Sequence, residues 1–287
     1  MPRVKLVTYA SVSGPRPGAL TPGGVVDLSP VAATVEMLIE LGPSAWDAAR
    51  TLASTGTAAR DQRLLAPFRP SSLRDFLAFE DHAKGGAARR GEELNPAWYR
   101  FPVYYKGNHR SIIGPDEDLA WPGFSELLDF ELELACVLGA RGRDLDVATA
   151  QTAVFGYTIM NDWSARDVQR EEMAMRLGPA KSKDFATSLG PCIVTADELD
   201  PRDGLRMTAR VNGEIWSEAS TDAMYWTFPQ MIAHVSRGED VWPGDVYGSG
   251  TAFGGCGLDL DRWLQPADVV ELEVEGIGVL RNSVVRG

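Results

Sequence analysis

Hydrophobic and polar positions along the first 70 residues recur in short blocks with either the strand or the helix period. A period of two predicts strands, and a period near 3.6 predicts helices. The predicted elements are strands at 3–9 and 24–28 and helices from about Val31 to Leu41 and from Ser44 to Ser54. A polar stretch, Gly56 to Ser72, contains Pro67 and Pro70 and has the composition of a linker. The pattern therefore predicts a small N-terminal α/β domain, residues 1–70, followed by a larger domain at 71–287.

The rest of the chain is dominated by short β-patterned runs that lie between clusters of turn residues. The dipeptide Asn212-Gly213 separates two such runs and predicts a β-hairpin. Helical patterns fit only Ala165–Arg176, with Ser164 as N-cap, and Gln230–Arg237. Further strands are predicted at Leu128–Val137, Val246–Gly248, Val269–Glu275 and Ile277–Val285. Because helices are too sparse for repeated βαβ units, we expect a β-rich α+β fold.

Composition is that of an ordinary globular protein, with 44% hydrophobic and 24% charged residues. There are 28 Lys and Arg residues against 40 Asp and Glu, which gives a net charge of −12 and argues against a phosphate-tracking surface. No apolar run approaches the roughly 20 residues that span a bilayer, and the N-terminus lacks the apolar core of a signal peptide. We therefore expect a cytoplasmic protein that binds neither nucleic acid nor membrane.

An acidic strand is the first candidate for a functional site. Between Leu127 and Val137, the alternation places Asp129, Glu131 and Glu133 on one face and apolar residues on the other. Neighbouring carboxylates repel one another, and either solvent or a hard divalent cation would relieve the repulsion. From this feature alone, a metal site and a solvated sheet face are equally supported.

A second acidic position, Asp162, follows an apolar strand and precedes a predicted helix. Arg166 and Gln169 are three residues apart and share one face of that helix, just beyond Asp162. The plainer interpretation is that Asp162 caps the helix and that Arg166 pairs with a surface acid such as Glu133 or Asp167. From this segment alone, the plainer interpretation is favoured.

Three further segments contain residues suited to proton transfer or ligand contact. The segment Arg74–Gly86 predicts an amphipathic flap, and its His82 is suited to a general base, although a partly packed surface histidine is the plainer alternative. One of Lys181 and Lys183 is expected to point inward, because an apolar run follows them. Six glycines between 244 and 257 permit close approach of a ligand to the backbone, and simple turns would account for them equally well.

Taken together, these segments resemble the fumarylacetoacetate hydrolase family, from about residue 73 to 285. The matching motifs are Asp75-x6-His82, Leu128-Asp-Phe-Glu131-Leu-Glu133, Gly156-Tyr-Thr-x-x-Asn-Asp162-x-Ser-Ala-Arg166-Asp, Lys183-x3-Thr187, Leu189-Gly-Pro, Val211-Asn-Gly-Glu and Pro243-Gly-Asp-x3-Ser-Gly-Thr251. The resemblance implies a mixed β-sandwich roll behind a small N-terminal α/β region. It also implies a homodimer.

The resemblance further implies a divalent metal site formed by four carboxylates. The residues of this chain at the corresponding positions are Asp75, Glu131, Glu133 and Asp162. Ligation by oxygen alone suits Mg²⁺, which we expect first, and Ca²⁺ or Mn²⁺, rather than zinc.

By the same resemblance, the expected reaction is hydrolysis of a carbon–carbon bond in a 1,3-diketo acid, such as a fumarylacetoacetate- or acylpyruvate-like substrate. His82, paired with Asp259, would activate water, and Lys183 would face the enolate that leaves. The residues implied in substrate binding are Tyr105, Arg166, Gln169 and Thr251. The alternative is a decarboxylase or a hydratase or isomerase that acts on a 2-oxo acid at the same metal site.

Three positions depart from the family pattern. Asp259 stands where fumarylacetoacetases carry a glutamate, and Leu77 stands where they carry a substrate-binding tyrosine. Gly85 stands where acylpyruvases and oxaloacetate decarboxylases of the family carry a glutamate. These departures weigh against fumarylacetoacetate itself and against the simplest acylpyruvate as substrate.

The position of the lysine is ambiguous by spacing. Many members place it ten residues before the proline of the Gly-Pro pair, which selects Lys181. The lysine-to-threonine spacing of four is kept only by Lys183 and Thr187, so we expect Lys183 to be the functional residue.

Overall fold

Short strands and a few helices make up the part of the chain that the computed structural model describes, residues 4–286. The strands are β1 Lys5–Ser11, β2 Gly14–Thr21, β3 Gly24–Asp27, β4 Ala58–Ala59, β5 Leu64–Leu65, β6 Ser72–Phe76, β7 Tyr104–Gly107, β8 Ile112–Ile113, β9 Asp118–Trp121, β10 Leu128–Asp129, β11 Leu132–Leu138, β12 Gly142–Arg143, β13 Val154–Asn161, β14 Ser164–Ala165, β15 Thr187–Thr195, β16 Arg206–Val211, β17 Glu214–Ser220, β18 Asp240–Val241, β19 Asp245–Gly248, β20 Val269–Val274 and β21 Gly278–Arg286. The helices are α1 Val35–Leu41, α2 Pro43–Thr55, α3 Glu80–Arg89, α4 Val147–Thr152, α5 Arg166–Ala174, α6 Phe228–Val235 and α7 Gly257–Leu260.

Most of the strands join one large mixed sheet. Its order is β4-β3-β2-β1-β15-β13-β11-β19-β6-β7, with β5 beside β1 and β8 beside β15. Its neighbouring strands are antiparallel, apart from the parallel pairs β6 with β19 and β8 with β15. A second sheet has the order β17-β16-β20-β21-β9. The predicted β-rich α+β fold class is confirmed.

Two hydrophobic cores cover the opposite faces of the large sheet. On β11, Leu134 points into the first core and Ala135 into the second, because successive side chains of a strand point to opposite faces. The first core extends into the second sheet through residues such as Met207, and the second core is covered by α1 through Leu38. Strand β11 is therefore buried on both faces, and any carboxylate on it lies in the protein interior.

The first 70 residues contribute strands to this same large sheet. Strand β1 pairs with β15, and Leu6 lies opposite Ile193. Strand β2 was missed by the hydrophobic pattern, because its sequence GPRPGALT contains glycines and prolines that hide the period of two. The segment Gly56–Ser72, predicted as a linker, contains the two short strands β4 and β5. Backbone pairing of β5 with β1 holds the segment in the sheet.

The hairpin prediction is confirmed, and the predicted cap of α5 is wrong. Asn212 and Gly213 have φ values of 53° and 80°, which is the left-handed geometry of a two-residue hairpin turn between β16 and β17. Ser164 lies in β14 and pairs with Asp129 of β10, so it does not cap α5. Its hydroxyl donates instead to the backbone oxygen of Asp162 at 3.0 Å.

The segment Arg74–Gly86 is a strand followed by a helix, because β6 ends at Phe76 and α3 begins at Glu80. Gly85 and Gly86 lie inside α3, which continues to Arg89, so the helix extends beyond the predicted flap segment. A glycine within a helix costs about 1 kcal/mol relative to alanine. Burial of Ala83 and Ala87 against the body of the protein offsets part of that cost.

Candidate metal centre and active site

Four acidic side chains from distant parts of the sequence meet in the interior. Asp75 lies on β6, Glu133 lies on β11, Glu131 directly precedes β11, and Asp162 directly follows β13. Strand β19 lies between β6 and β11, and β13 lies on the other side of β11. One carboxylate oxygen of each residue lies within 4.8 Å of the others, and all four residues are buried. The structure therefore brings together the four carboxylates that the sequence predicted as a group.

The predicted acidic strand is interrupted, which separates Asp129 from this cluster. Strand β10 ends at Asp129, β11 begins at Leu132, and the backbone N–H of Glu131 donates to the Asn161 side chain at 2.9 Å. The carboxylate of Asp129 accepts hydrogen bonds from the backbone N–H groups of Gly257 and Leu258, at 2.7 and 3.0 Å. The prediction of one continuous strand with three aligned acids was therefore wrong, and Asp129 has a separate, structural environment.

Gly248 on β19 provides the space in which the carboxylates meet. It lies opposite Asp75 in the parallel β6–β19 pair and opposite Ala135 of β11. A Cβ atom at this position would clash with Asp75 Oδ1 and Met160 Cε and would lie 2.9 Å from Glu133 Oε2. Sequence reasoning noted the glycine-rich stretch but missed this residue, since only the strand order shows which glycine faces the acids.

The chemistry of the cluster fits a hard divalent cation. Both carboxylate oxygens of Glu133 and Oδ1 of Asp162 are buried without a hydrogen-bond partner in the described structure. Burial, together with the neighbouring acids, raises the pKa values of Asp75 and Glu133 well above their ordinary range. Unpartnered buried anions are costly, and a cation bound by oxygen ligands removes that cost.

A count of buried charges leads to the same interpretation. The four acids and Asp129 supply five buried carboxylates, whereas Arg166 and Lys183 supply two buried cations. If all five acids are ionised, three negative charges are left uncompensated. A divalent cation would leave one, whereas a monovalent cation would leave two.

Lys183 is the inward-pointing lysine. Its Nζ donates to Glu131 Oε2 at 2.6 Å and to Asp162 Oδ2 at 2.5 Å, and its side chain is 3% exposed. Burial alone would lower the pKa of Lys183, but the two carboxylates raise it above its ordinary value. The side chain is therefore an ammonium. Lys181 is exposed and lies over the ring of Phe124 at 5.1 Å. Of the two lysines, Lys183 is therefore the one that points into the carboxylate cluster.

Arg166 is buried against the cluster rather than on the surface. It donates from Nε to Asp129 at 2.8 Å, from Nη2 to Glu131 at 2.7 Å and from Nη1 to the Gln169 side chain at 2.8 Å. Burial raises the pKa of Glu131, but the charges of Lys183 and Arg166 outweigh that effect and bring the pKa below its ordinary value. The plainer sequence interpretation, in which Arg166 pairs with a surface acid, was therefore wrong.

Tyr105 and Thr251 lie beside the carboxylates. Tyr105 on β7 donates its hydroxyl to Asp162 Oδ2 at 2.6 Å, and burial raises the pKa of this phenol well above its ordinary value, so the proton stays in place. Thr251 is buried and directly follows Gly250, whose backbone N–H donates to Asp75 Oδ1 at 3.2 Å.

His82 and Asp259 form a hydrogen-bonded pair. The distance from His82 Nδ1 to Asp259 Oδ2 is 2.8 Å, and the side chains are 13% and 1% exposed. The Gly254 backbone N–H donates to the same oxygen at 3.0 Å. Burial raises the pKa of Asp259, but these hydrogen bonds and nearby positive charge bring it below its ordinary value. An aspartate, one methylene shorter than glutamate, thus reaches the histidine.

The chain between Ser249 and Asp259 links the two groups. Gly250 binds Asp75, Cys256 pairs with Glu131 through an isolated backbone bridge, and Gly254 binds Asp259. Fold and site together define a class: a mixed β-sheet protein with a buried carboxylate centre beside a histidine–aspartate pair.

The chain belongs to the fumarylacetoacetate hydrolase family, because residues 72–285 match the family model described as fumarylacetoacetate (FAA) hydrolase C-terminal. It is 32% identical to the fumarylacetoacetase of Arabidopsis thaliana over 252 residues, which cover 69% of this chain and 60% of that protein. It is 32% identical to a mitochondrial oxaloacetate tautomerase of Rattus norvegicus over 274 residues, which cover 92% of this chain and 84% of that protein. The chain thus spans about 60% of the length of the plant fumarylacetoacetases that it matches.

Solved structures with the same fold include proteins with different named activities. The fumarylacetoacetate hydrolase of Exiguobacterium antarcticum has a TM-score of 0.82 and 30% identity, with 99% of this chain and 100% of that chain covered. The 5-carboxymethyl-2-hydroxymuconate delta-isomerase of Mycobacterium smegmatis has a TM-score of 0.76 and 28% identity, with the same coverage.

Among the described residues, no helix is long and apolar enough to cross a membrane.

Proposed function

We propose that this protein is a metal-dependent enzyme that hydrolyses a carbon–carbon bond of a 1,3-diketo acid by way of an enolate. The observation that supports the proposal is the buried carboxylate cluster with unpartnered oxygens, close to both a histidine–aspartate pair and a buried ammonium group. A divalent cation, Mg²⁺ before Ca²⁺ or Mn²⁺, held by the four acids would polarise the two carbonyl oxygens of the substrate as a Lewis acid.

His82 is the proposed general base. In the neutral tautomer that donates its Nδ1–H to Asp259 Oδ2, the Nε2 atom of His82 is unprotonated and can accept a proton from water. That water then attacks one carbonyl carbon of the diketo acid, the carbon–carbon bond breaks, and the imidazolium returns the proton to the carbon of the enolate that leaves. Asp259 fixes the tautomer and the orientation of the ring and stabilises the imidazolium that forms.

Lys183 is proposed to face the negative charge that develops when the carbon–carbon bond breaks. Its ammonium is fixed by Glu131 and Asp162, so it needs little reorganisation during the reaction. The proposed substrate-binding residues are Tyr105, Arg166, Gln169 and Thr251. Gln169 accepts from Arg166 through its carbonyl oxygen, which leaves its amide N–H groups available to a substrate carboxylate.

A second candidate is isomerisation, tautomerisation or decarboxylation of a 2-oxo acid at the same centre. Isomerisation and tautomerisation are supported by the relatives named as a tautomerase and an isomerase, which align with almost the whole of this chain. Such reactions pass through an enolate but need no activated water. His82 would then move a proton between carbon and oxygen, or would be dispensable.

The proposed assembly is a homodimer. Met175 and Leu177, just beyond α5, are 81% and 92% exposed, and such apolar surface is suited to an interface. Light scattering should give twice the chain mass of 31.2 kDa. A monomer mass at micromolar concentration would refute the proposal.

The first experiment follows the ultraviolet absorbance of a panel of 1,3-diketo acids, acylpyruvates and oxaloacetate with Mg²⁺, Mn²⁺ or Ca²⁺, and then with chelator. Metal-dependent loss of a diketone, with the two carboxylic acid products identified, would support hydrolysis. Turnover of oxaloacetate with no loss of any diketone would refute hydrolysis and support the second candidate.

The variant His82→Gln separates the two reactions further, with His109→Gln as the matched control. Loss of the general base should lower hydrolysis by about 10² or more, while metal-induced thermal stabilisation stays unchanged. Full hydrolytic activity in His82→Gln would exclude His82 as the base.

A further inference from the structure

Arg89 contacts the histidine–aspartate pair from the far end of α3. Its Nη1 donates to Asp259 Oδ1 at 3.0 Å, while His82 Nδ1 lies 2.8 Å from the other oxygen, Oδ2. His82 and Arg89 are seven residues apart, which is about two helical turns, so both lie on the same face of α3. One buried carboxylate therefore binds both ends of this helix face.

The Arg89 side chain passes close to Gly85. A Cβ atom at Gly85 would lie 3.4 Å from Arg89 Nη1, so the guanidinium runs back along the helix directly over this glycine. Gly85 is also one of the positions at which the chain departs from the family pattern. The departure thus coincides with the route by which Arg89 reaches Asp259.

The two oxygens of Asp259 have different partners. Oδ2 is bound to His82 and to the Gly254 backbone N–H, and Oδ1 is bound to Arg89. The terminal torsion of an aspartate is broad, so contacts on a single oxygen leave the carboxylate free to rotate. Contacts on both oxygens restrict that rotation.

We propose that Arg89 is a positioning residue: it holds the Asp259 carboxylate in the orientation that binds His82, and its charge offsets the charge of that carboxylate. The proposal rests on the proposed role of His82 as a base. An aspartate with its full negative charge would favour the imidazolium, which cannot accept a proton. Arg89 offsets part of that charge through its contact with Asp259 Oδ1.

Other charged or titratable groups also face His82. Besides Asp259 on α7 and Arg89 on its own helix, Glu131 lies near enough to interact electrostatically, and the Cys256 thiol lies in the same cluster. All of these groups are unchanged in a comparison of Arg89 variants. A difference between the variants therefore reports on Arg89 alone.

The test is an NMR titration of the His82 ring Cε1–H signal in the full chain, without metal and with Mg²⁺. The chain has three histidines, so the signal is assigned by its absence in His82→Gln. In Arg89→Gln we expect the titration midpoint of His82 to move up by about 0.5 to 1 unit, because the charge of the Asp259 carboxylate beside the ring is no longer offset. Arg89→Lys should restore part of the shift. The matched control is Arg90→Gln, since Arg90 pairs with Glu92 instead.

A second background shows whether Arg89 acts through Asp259. In Asp259→Asn, the additional change Arg89→Gln should move the midpoint by less than about 0.2 unit, whereas a direct charge effect would persist undiminished. Equal midpoints in wild type and Arg89→Gln, or an undiminished shift in the Asp259→Asn background, would overturn the proposal. Arg89 is 37% exposed, so the variants should fold, and thermal melting checks this.

The readout is independent of turnover. If the chain hydrolyses no diketo acid and the midpoint still shifts, the proposed function fails while the role of Arg89 stands. If a substrate is found, the acidic limb of its kcat/KM profile should move in the same direction. Activity of Arg89→Gln well below both midpoints should then be about 3- to 10-fold lower than that of wild type.

Discussion

Replacement of Glu133 by glutamine should stabilise the metal-free protein and abolish its stabilisation by metal. Both carboxylate oxygens of Glu133 are buried and accept no hydrogen bond from an N–H or hydroxyl donor in the described structure, and Asp75 and Asp162 add like charge. Glutamine keeps the size of the side chain, removes the charge and can donate to the neighbouring carboxylates. The two carboxylate oxygens of Glu133, whose burial destabilises the metal-free protein, are the atoms that a cation needs as ligands.

The magnitude follows from the unpartnered group. A buried polar group without a partner costs about 1–3 kcal/mol, and more if it is charged. Unfolding entropy of about 2.1 cal/mol/K per residue gives about 0.6 kcal/mol/K for 287 residues. The metal-free Glu133→Gln protein should therefore melt about 2–5 °C above the metal-free wild type.

The effect of metal should have the opposite sign. At a metal concentration of one hundred times Kd, the wild type gains about 2.7 kcal/mol, or about 4–5 °C. Loss of a residue that only orients a ligand lowers metal affinity by about 10- to 100-fold, so loss of a ligand should cost about 100-fold or more. At the same metal concentration, the variant should then gain less than about 1 °C.

The assay is differential scanning calorimetry in chelator and then in a Mg²⁺ series, with Mn²⁺ and Ca²⁺ as alternatives. Glu218→Gln is the control, because Glu218 is exposed on β17. A full metal-induced shift in Glu133→Gln would refute its assignment as a ligand. A lower melting temperature without metal would refute the argument that this carboxylate is unpartnered.

Two further predictions follow from the same site. Lys183→Met should destabilise the protein by about 3–5 kcal/mol, since it breaks a buried ion pair, and should lower turnover by about 10²-fold or more. Lys181→Met should change neither stability nor turnover. Thermal melting and steady-state rates of the two variants test this, and equal effects would refute the choice of Lys183. Gly248→Ala should cost about 1–3 kcal/mol and weaken metal binding, because the added methyl group displaces the carboxylates. At the control position Gly123, a Cβ atom would meet nothing within 4 Å, so the stability of Gly123→Ala should lie within about 0.5 kcal/mol of wild type. A normal metal-induced shift of the melting temperature in Gly248→Ala would contradict the prediction.

The sequence by itself determined the local elements and the chemical types at the site. The hairpin at Asn212-Gly213 could be predicted because two residues with left-handed backbone fix a tight turn regardless of the rest of the chain. The alternation around Glu131 and Glu133 placed both acids on one face, because side chains along a strand alternate. The carboxylate-only set of candidate ligands, which the family resemblance implied, likewise favoured a hard divalent cation over zinc.

Tertiary structure decided which of these residues meet. Asp75 joins the acids of β11 because β6 adds in parallel to β19, and Asp129 leaves them because the chain breaks between β10 and β11. The contact of Arg89 with Asp259 joins residues 170 positions apart. A periodic pattern specifies the face of an element on which a side chain lies, but not which strand or helix becomes its neighbour. That choice depends on how the whole set of apolar faces can be buried together.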